Sequence, residues 1–301
     1  KHVYTSFRSS ADMKLLVHVF RLLVFSNGII ALASVAQSAL TYLILDLPTN
    51  PFILLIEGCS TVALYNMSLF YAKPTQPQNS PFARTRWFFG HQQAMVSVTV
   101  LAGLLLAYSL WHIHWYTMLY LGFIGVLSLL YNIPFLRLGK NTGGLRQISG
   151  LKLFHIAVLW SLSTVGLPVV EAWMDGHAID WTAANFLGIV KILFLLVCTL
   201  PFDVRDIKQD SYYNLKTVPT MIGEQKAIQL NYVLIAFHTL LIAFAPFTLP
   251  IQVGLWMTNL FIFILLRQFI FVAQQKHYHA VYLLDLALIV QFVLVLLTTS
   301  V

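Results

Sequence analysis

The chain alternates stretches of about 20 apolar residues with short polar loops, and no other feature restricts its fold as much. Nine such stretches run at roughly 20–45, 51–71, 88–110, 115–132, 152–170, 183–201, 227–246, 250–272 and 280–299. Inside hydrocarbon the backbone must satisfy its own hydrogen bonds, so only helices or closed barrels can span it. The stretches are continuous apolar runs and lack the alternation of a barrel strand. They predict an all-α integral membrane protein of about nine transmembrane helices. Composition agrees: 58% of the 301 residues are hydrophobic, 10% are charged and the mean hydropathy is +0.77. A soluble domain carries about 25% charged residues.

The basic residues predict the orientation. Lys1, Arg8, Lys14 and Arg21 precede or open the first stretch, and Lys73, Arg84 and Arg86 lie between the second and third. Arg137, Lys140, Arg146 and Lys152 lie between the fourth and fifth, and Arg205, Lys208, Lys216 and Lys226 between the sixth and seventh. Arg267 and Lys276 flank the last turn. The alternate loops, near 46–51, 111–115, 171–182 and 247–250, contain no Lys or Arg. Basic residues are retained on the cytoplasmic side, so a cytoplasmic N-terminus and a C-terminus on the opposite side are expected. The net charge of +7 then needs no nucleic acid partner, and anionic lipid headgroups are its expected neighbours. No linker-like break divides the chain, so residues 1–301 read as one polytopic membrane domain. No Sec-type signal peptide is evident, since the first basic residues precede a full-length apolar stretch. Cys59 and Cys198 fall inside spans and read as small core residues.

The chain has 11 acidic residues, and Asp203, Asp206 and Asp210 sit together just after the sixth stretch. Their spacing of three and four places them on one helix face, which Asn214 would extend, while Arg205 and Lys208 point elsewhere. A helix C-terminus is the wrong end of the macrodipole for negative charge. A cation should offset the repulsion, and hard divalent ions take oxygen ligands. The alternative is a solvated loop whose acids pair with Arg205, Lys208 and Lys216. Glu57, Lys191 and Asp285 are ionisable and lie within the membrane, where such groups are costly and often functional. A Glu57–Lys191 or Asp285–Lys191 ion pair would account for them. Arg21 opens the first span where it would reach a phosphate or snorkel to lipid headgroups. The histidines show no metal spacing, and no nucleotide-hydrolase, serine-hydrolase or zinc-protease motif occurs.

Asp203-Val204-Arg205-Asp206-Ile207-Lys208-Gln209-Asp210, followed by Lys216-Thr217-Val218-Pro219 and Ile222-Gly223, resembles the second aspartate-rich motif of UbiA-type intramembrane prenyltransferases. Tyr131-Asn132-Ile133-Pro134 with Arg137 similarly resembles the family's Tyr–x–x–Pro stretch with a basic residue. The resemblance implies a helical barrel that transfers an isoprenyl group from a prenyl diphosphate to a lipophilic acceptor, often an aromatic ring or quinone precursor. It implies Mg²⁺ bound by Asp203, Asp206 and Asp210. Diphosphate contacts would fall to Arg137, Lys140 and Lys216, and Tyr131 would orient the phosphate or face the allylic cation.

The family's first motif, N-D-x-x-D-x-x-x-D, is matched only by Asn66, here grouped with the substrate-binding residues. Met67, Phe70 and Pro74 stand in place of its acids, and Glu57 lies deeper, on the opposite face. Three readings follow. Transfer proceeds with one metal, Lys73 or Arg84 supplying the missing charge; the substrate carries a different headgroup; or the protein binds isoprenoid lipid without catalysis. A secondary transporter built on Glu57, Lys191 and Asp285 is a further class.

Overall fold

The computed structural model describes residues 19, 22–71, 73–132, 136–138, 141–143, 150–212, 215–271 and 280–300. Helices α1 (Gly28–Ile44) and α2 (Pro51–Tyr71) come first, then the short α3 (Ala83–Gly90), α4 (Gln92–Leu110) and α5 (Trp115–Asn132). Strands β1 (Leu136–Leu138) and β2 (Asn141–Gly143) pair antiparallel with Arg137 opposite Thr142. Helix α6 (Leu151–Ser161) passes through a π turn, Leu162–Gly166, into α7 (Leu167–Met174). There follow α8 (Trp181–Arg205), α9 (Ile207–Tyr212), α10 (Val218–Ile222), α11 (Glu224–Ala243), α12 (Leu249–Leu265) and α13 (Leu283–Thr299).

Among the described residues six helical segments are long and apolar enough to cross a membrane: Pro51–Tyr71, Gln92–Leu110, Leu151–Met174, Trp181–Arg205, Glu224–Ala243 and Leu249–Ile270. Gly28–Ile44, Trp115–Leu130 and Leu283–Thr299 are shorter apolar helices. Every apolar stretch of the sequence thus meets an apolar helix, and for these three the expectation of a span rests on their sequence. Large apolar side chains such as Leu104, Leu119, Phe237 and Leu297 lie on the outside, where hydrocarbon is the fitting solvent. The protein is an integral multi-pass membrane protein.

One boundary differs from expectation. The first apolar stretch is not a single helix from residue 20, because a turn at Ser26 and Asn27 precedes α1. Asn27 adopts φ 64°, a left-handed conformation that Asn tolerates better than most residues.

Helix α8 is central. Its residues Phe194, Leu195 and Leu200 pack with Leu153 and Ala157 of α6, Ile235 of α11 and Leu284 of α13 in one buried cluster. Helices α12 and α13 approach most tightly at Gly254, where a Cβ would lie 2.7 Å from the Val295 Cα. Small residues permit such backbone approach in membranes, where apolar burial against lipid provides little drive.

Prolines and the π turn free backbone carbonyls that water cannot satisfy at this depth. Pro201 has no N–H to donate to the Val197 carbonyl one turn earlier, and the Asn231 side-chain amide donates to it instead at 2.9 Å. Pro168 likewise leaves the Thr164 carbonyl, which accepts from the Thr41 hydroxyl at 2.7 Å. The Leu162 carbonyl accepts from the Tyr120 hydroxyl at 3.0 Å. That hydroxyl fits because residue 166 is Gly: a Cβ there would lie 2.0 Å from it. Asn231→Leu keeps the four side-chain heavy atoms and their branching but strands the Val197 carbonyl. It is expected to destabilise the protein by about 1–3 kcal/mol in reversible unfolding in detergent micelles; an unchanged midpoint would show that this carbonyl needs no partner.

Candidate functional site

Asp203 lies in the last turn of α8, Asp206 is the residue at which the helix ends, and Asp210 lies in α9. Helical hydrogen bonds carry across the break, Asp206 N–H to Phe202 O at 3.0 Å and Asp210 N–H to Asp206 O at 2.8 Å. The three acids therefore keep the shared face that their spacing predicts. Asp203 and Asp210 are each only 4% exposed, whereas Asp206 is half-buried.

Their counter-ions come from two directions. Lys152, on the first turn of α6, places Nζ 2.6 Å from Asp203 Oδ1 and 3.6 Å from Asp210 Oδ2. It is held there by the backbone: the Gly150 N–H donates to the Lys216 carbonyl at 2.8 Å, joining the start of α6 to the segment that follows the acids. Gly150 has φ +72°, a conformation that favours glycine. Arg205 pairs with Asp206 through Nε and Nη2, at 2.8 and 2.9 Å. Its guanidinium also lies 5.2 Å from the Phe202 ring centroid and 5.5 Å from that of Tyr282. Arg205 therefore does not point away from the stripe as its helical position suggests. Its long side chain folds alongside the neighbouring carboxylate, where the helix ends.

Asp203, Asp206, Lys152 and Arg205 border a cavity of about 240 Å³. Its other walls include Asn27, Tyr65, Arg84, Trp160, Phe202 and Asp285. The cavity has a charged edge and an aromatic and aliphatic flank, the pattern of a site for an amphiphilic ligand.

A relay of amides fixes Arg84, another residue of the cavity wall. Thr99 accepts from Asn66 Nδ2 at 3.0 Å, Asn66 Oδ1 accepts from Asn27 Nδ2 at 2.7 Å, and Asn27 Oδ1 accepts from Arg84 Nη2. Asn66 is fully buried and outside the cavity wall, so it acts on the cavity through Asn27. Arg84 Nε is buried and without a hydrogen-bond partner. Lys73 is exposed, 3.2 Å from Gln92 Oε1 and over the Phe89 ring, and it does not line the cavity.

The remaining candidates lie elsewhere or outside the described residues. The Lys216 side chain is exposed and off the cavity wall. Tyr131 is in the last turn of α5 and Arg137 in β1, but their side chains, with Lys140, Arg21 and Asn214, lie outside what the structure describes. Lys191 Nζ is 2.8 Å from Gln37 Oε1 and 3.0 Å from Gln37 O. Glu57 accepts from Ser163 at 2.6 Å, and Asp285 faces the cavity. Among the described residues none of the three forms an ion pair within 4.0 Å, so the expected Lys191 pairs are not made. Polar side chains of neighbouring spans take their place.

Near the other end of α7, His114, Glu171 and Asp175 bring ligand atoms within 4.8 Å of one another. Local spacing gave no sign of this group, because His114 precedes α5 while Glu171 and Asp175 lie at the C-terminal end of α7. His114 Nε2 lies 2.9 Å from Asp175 Oδ1, and its N–H donates to Glu171 Oε2 at 3.2 Å. These contacts tie the two segments together.

The acidic edge suits a hard cation. Asp203 Oδ2 and Asp210 Oδ2 are buried and lack a hydrogen-bond donor, and carboxylate oxygens are the ligands Mg²⁺ takes. The positions of the other aspartate motif, Met67, Phe70 and Pro74, offer no oxygen ligand.

No protein-family model matches the sequence, and the search of curated proteins finds no relative. Solved structures do match. A UbiA homologue from Archaeoglobus fulgidus, solved bound to GPP and Mg²⁺, aligns over 93% of this chain and 100% of its own, at TM-score 0.61 and 12% identity. The same homologue bound to DMAPP and Mg²⁺ aligns over 91% and 98%, at TM-score 0.55 and 12% identity. A UbiA homologue from Aeropyrum pernix K1, solved in its apo form, aligns over 92% and 99%, at TM-score 0.63 and 14% identity. This chain has the UbiA-type prenyltransferase fold. Within this fold Asp203 and Asp206 line the cavity together with Arg84, which the Asn66–Asn27 relay holds.

The relay can be tested by a double-mutant cycle on Asn27→Ala and Asn66→Ala. The double variant should lose less stability than the sum of the single ones, by on the order of 1 kcal/mol. Strict additivity would mean that the two amides do not share a bond.

Proposed function

We propose that this protein transfers an isoprenyl group from a prenyl diphosphate to a lipophilic acceptor of aromatic or quinone-precursor type. Mg²⁺ would be held by Asp203, Asp206 and Asp210. The observation that carries this reading is a cavity lined by buried Asp203 and by Tyr65, Trp160 and Phe202, in a chain with the UbiA fold. Two similar structures were solved with a prenyl diphosphate and Mg²⁺.

When bound, Mg²⁺ would supply positive charge that stabilises a departing diphosphate. The bond from the prenyl carbon to oxygen breaks, and its electron pair leaves with the diphosphate. The chain's own residues do the rest. Arg84 and Lys152, both on the cavity wall, donate to the diphosphate, a preorganised stabilisation of developing charge. Arg84 thereby supplies the charge that the replaced aspartate motif would otherwise have brought through a second metal. The enclosing helices exclude water from the allylic cation, and the rings of Tyr65, Trp160 and Phe202 face it until the acceptor bonds to the prenyl carbon. The proton the acceptor loses passes to the departing diphosphate. Arg137, Lys140, Lys216 and Arg21 are assigned to the diphosphate entrance, and Tyr131 to its orientation, by their resemblance to the family or their place at the basic loops. The chain acts as one polytopic unit with its basic loops and N-terminus toward the cytoplasm.

A second reading is favoured by Met67, Phe70 and Pro74. A protein that binds isoprenoid lipid without turnover has no need of a second metal site. The two separate on one set of measurements, binding of a medium-length prenyl diphosphate with and without Mg²⁺ and turnover with a panel of acceptors. For the transferase, binding is Mg²⁺-dependent and Asp206→Asn abolishes both binding and turnover. Arg84→Met weakens binding about 10- to 100-fold, as expected for loss of a charged hydrogen bond, and Lys73→Met leaves it unchanged. Binding that ignores both Mg²⁺ and Asp206→Asn would favour the lipid-binding reading.

A further inference from the structure

Lys152 stands where a cation is required, yet it is a fixed part of the chain. Its ammonium lies 2.6 Å from Asp203 Oδ1 and 3.6 Å from Asp210 Oδ2, bridging the two most buried acids of the edge. The charges do not close. One ammonium faces two carboxylates, and Asp206 is matched separately by Arg205. Asp203 Oδ2 is buried without a donor, and Asp210 Oδ2 has the Lys152 ammonium only at 3.6 Å, beyond hydrogen-bond reach. The other charged groups on the cavity wall are Arg84 and Asp285.

A divalent ion drawn to those oxygens meets the lysine already there. The two cations would share the same carboxylates at short range, in a buried setting where repulsion is weakly screened. Lys152 can yield, because a lysine carries its charge on a long flexible stem and binds phosphate as readily as carboxylate. Its Cα cannot go far, since the Gly150–Lys216 backbone bond holds the start of α6.

We propose that Lys152 is a resident counter-ion of Asp203 and Asp210, which a divalent metal must displace and which the incoming diphosphate then receives. This inference rests on the site proposed above and adds a coupling to it. Metal alone binds weakly because it must evict the ammonium with nowhere to place it. Diphosphate alone binds weakly because Lys152 is engaged with the acids. Together they exchange partners: the carboxylates take the metal, and the ammonium takes a phosphate oxygen. The lysine thus keeps the acidic edge from holding a metal before a diphosphate arrives.

The test is a Mn²⁺ titration of the purified full chain in detergent, followed by electron paramagnetic resonance, with and without inorganic pyrophosphate. Wild type, Lys152→Met, Lys152→Gln, Lys152→Arg and Asp203→Asn are compared. Wild type should bind Mn²⁺ weakly alone and roughly 10-fold or more tightly with pyrophosphate, in line with the effect of groups adjacent to metal ligands. Lys152→Met and Lys152→Gln should each bind Mn²⁺ alone roughly 10-fold more tightly than wild type and lose most of the pyrophosphate enhancement. Lys152→Arg, which keeps the charge, should stay weak without pyrophosphate. Folded neutral variants that bind Mn²⁺ alone no more tightly than wild type would overturn the displacement, leaving Lys152 as a supporting ion-pair partner. The underlying site is judged separately: Asp203→Asn must lower Mn²⁺ affinity in the presence of pyrophosphate. If it does and the neutral Lys152 variants show no gain, only the displacement fails. If it does not, the acidic edge is not the metal site and both readings fall.

Discussion

Hydrocarbon offers no hydrogen bonds, and that constraint organises this molecule. Each interruption of a helix releases a carbonyl that only another part of the chain can satisfy. Pro201 releases Val197, answered by Asn231 from α11; Pro168 releases Thr164, answered by Thr41 from α1. These bonds join helices distant in sequence, so the breaks that local propensity would count as defects become points of attachment. The end of α8 is attached in this way just before Asp203, which is how an acidic segment can be held at a defined place.

The same solvent rule governs the charged groups. Lys191 and Glu57 are buried in separate polar contacts, with Gln37 and Ser163 as their partners. The acids at the end of α8 differ. Their partners, Lys152 and Arg205, leave carboxylate oxygens over, and Arg84, with a buried donor of its own, lines the same cavity as Asp203. Unsatisfied buried polar atoms are costly, and in the proposed function a metal and an anion would satisfy both.

The departure at Met67, Phe70 and Pro74 then has a physical counterpart. Asn66 is buried off the cavity wall, and its amide anchors Asn27, which anchors Arg84. A guanidinium is always charged and presents several donors in a rigid fork, so in the proposed function Arg84 would meet phosphate oxygens directly.

What the sequence determined by itself was everything set by local pattern. Apolar length predicted the membrane helices, because a span depends on its own segment meeting a uniform solvent. The spacing of Asp203, Asp206 and Asp210 predicted their common face, because helical geometry is local. The turn at Asn27 was missed because a continuous apolar run conceals a single left-handed residue. The tertiary structure alone decided the partners. Lys152 looked like one more loop lysine and Arg205 seemed to face away. Asp285 seemed a candidate partner for Lys191, and the group of His114, Glu171 and Asp175 had no signature at all. Each of these depends on which helix ends lie side by side, and packing between distant helices leaves no periodic trace along one chain.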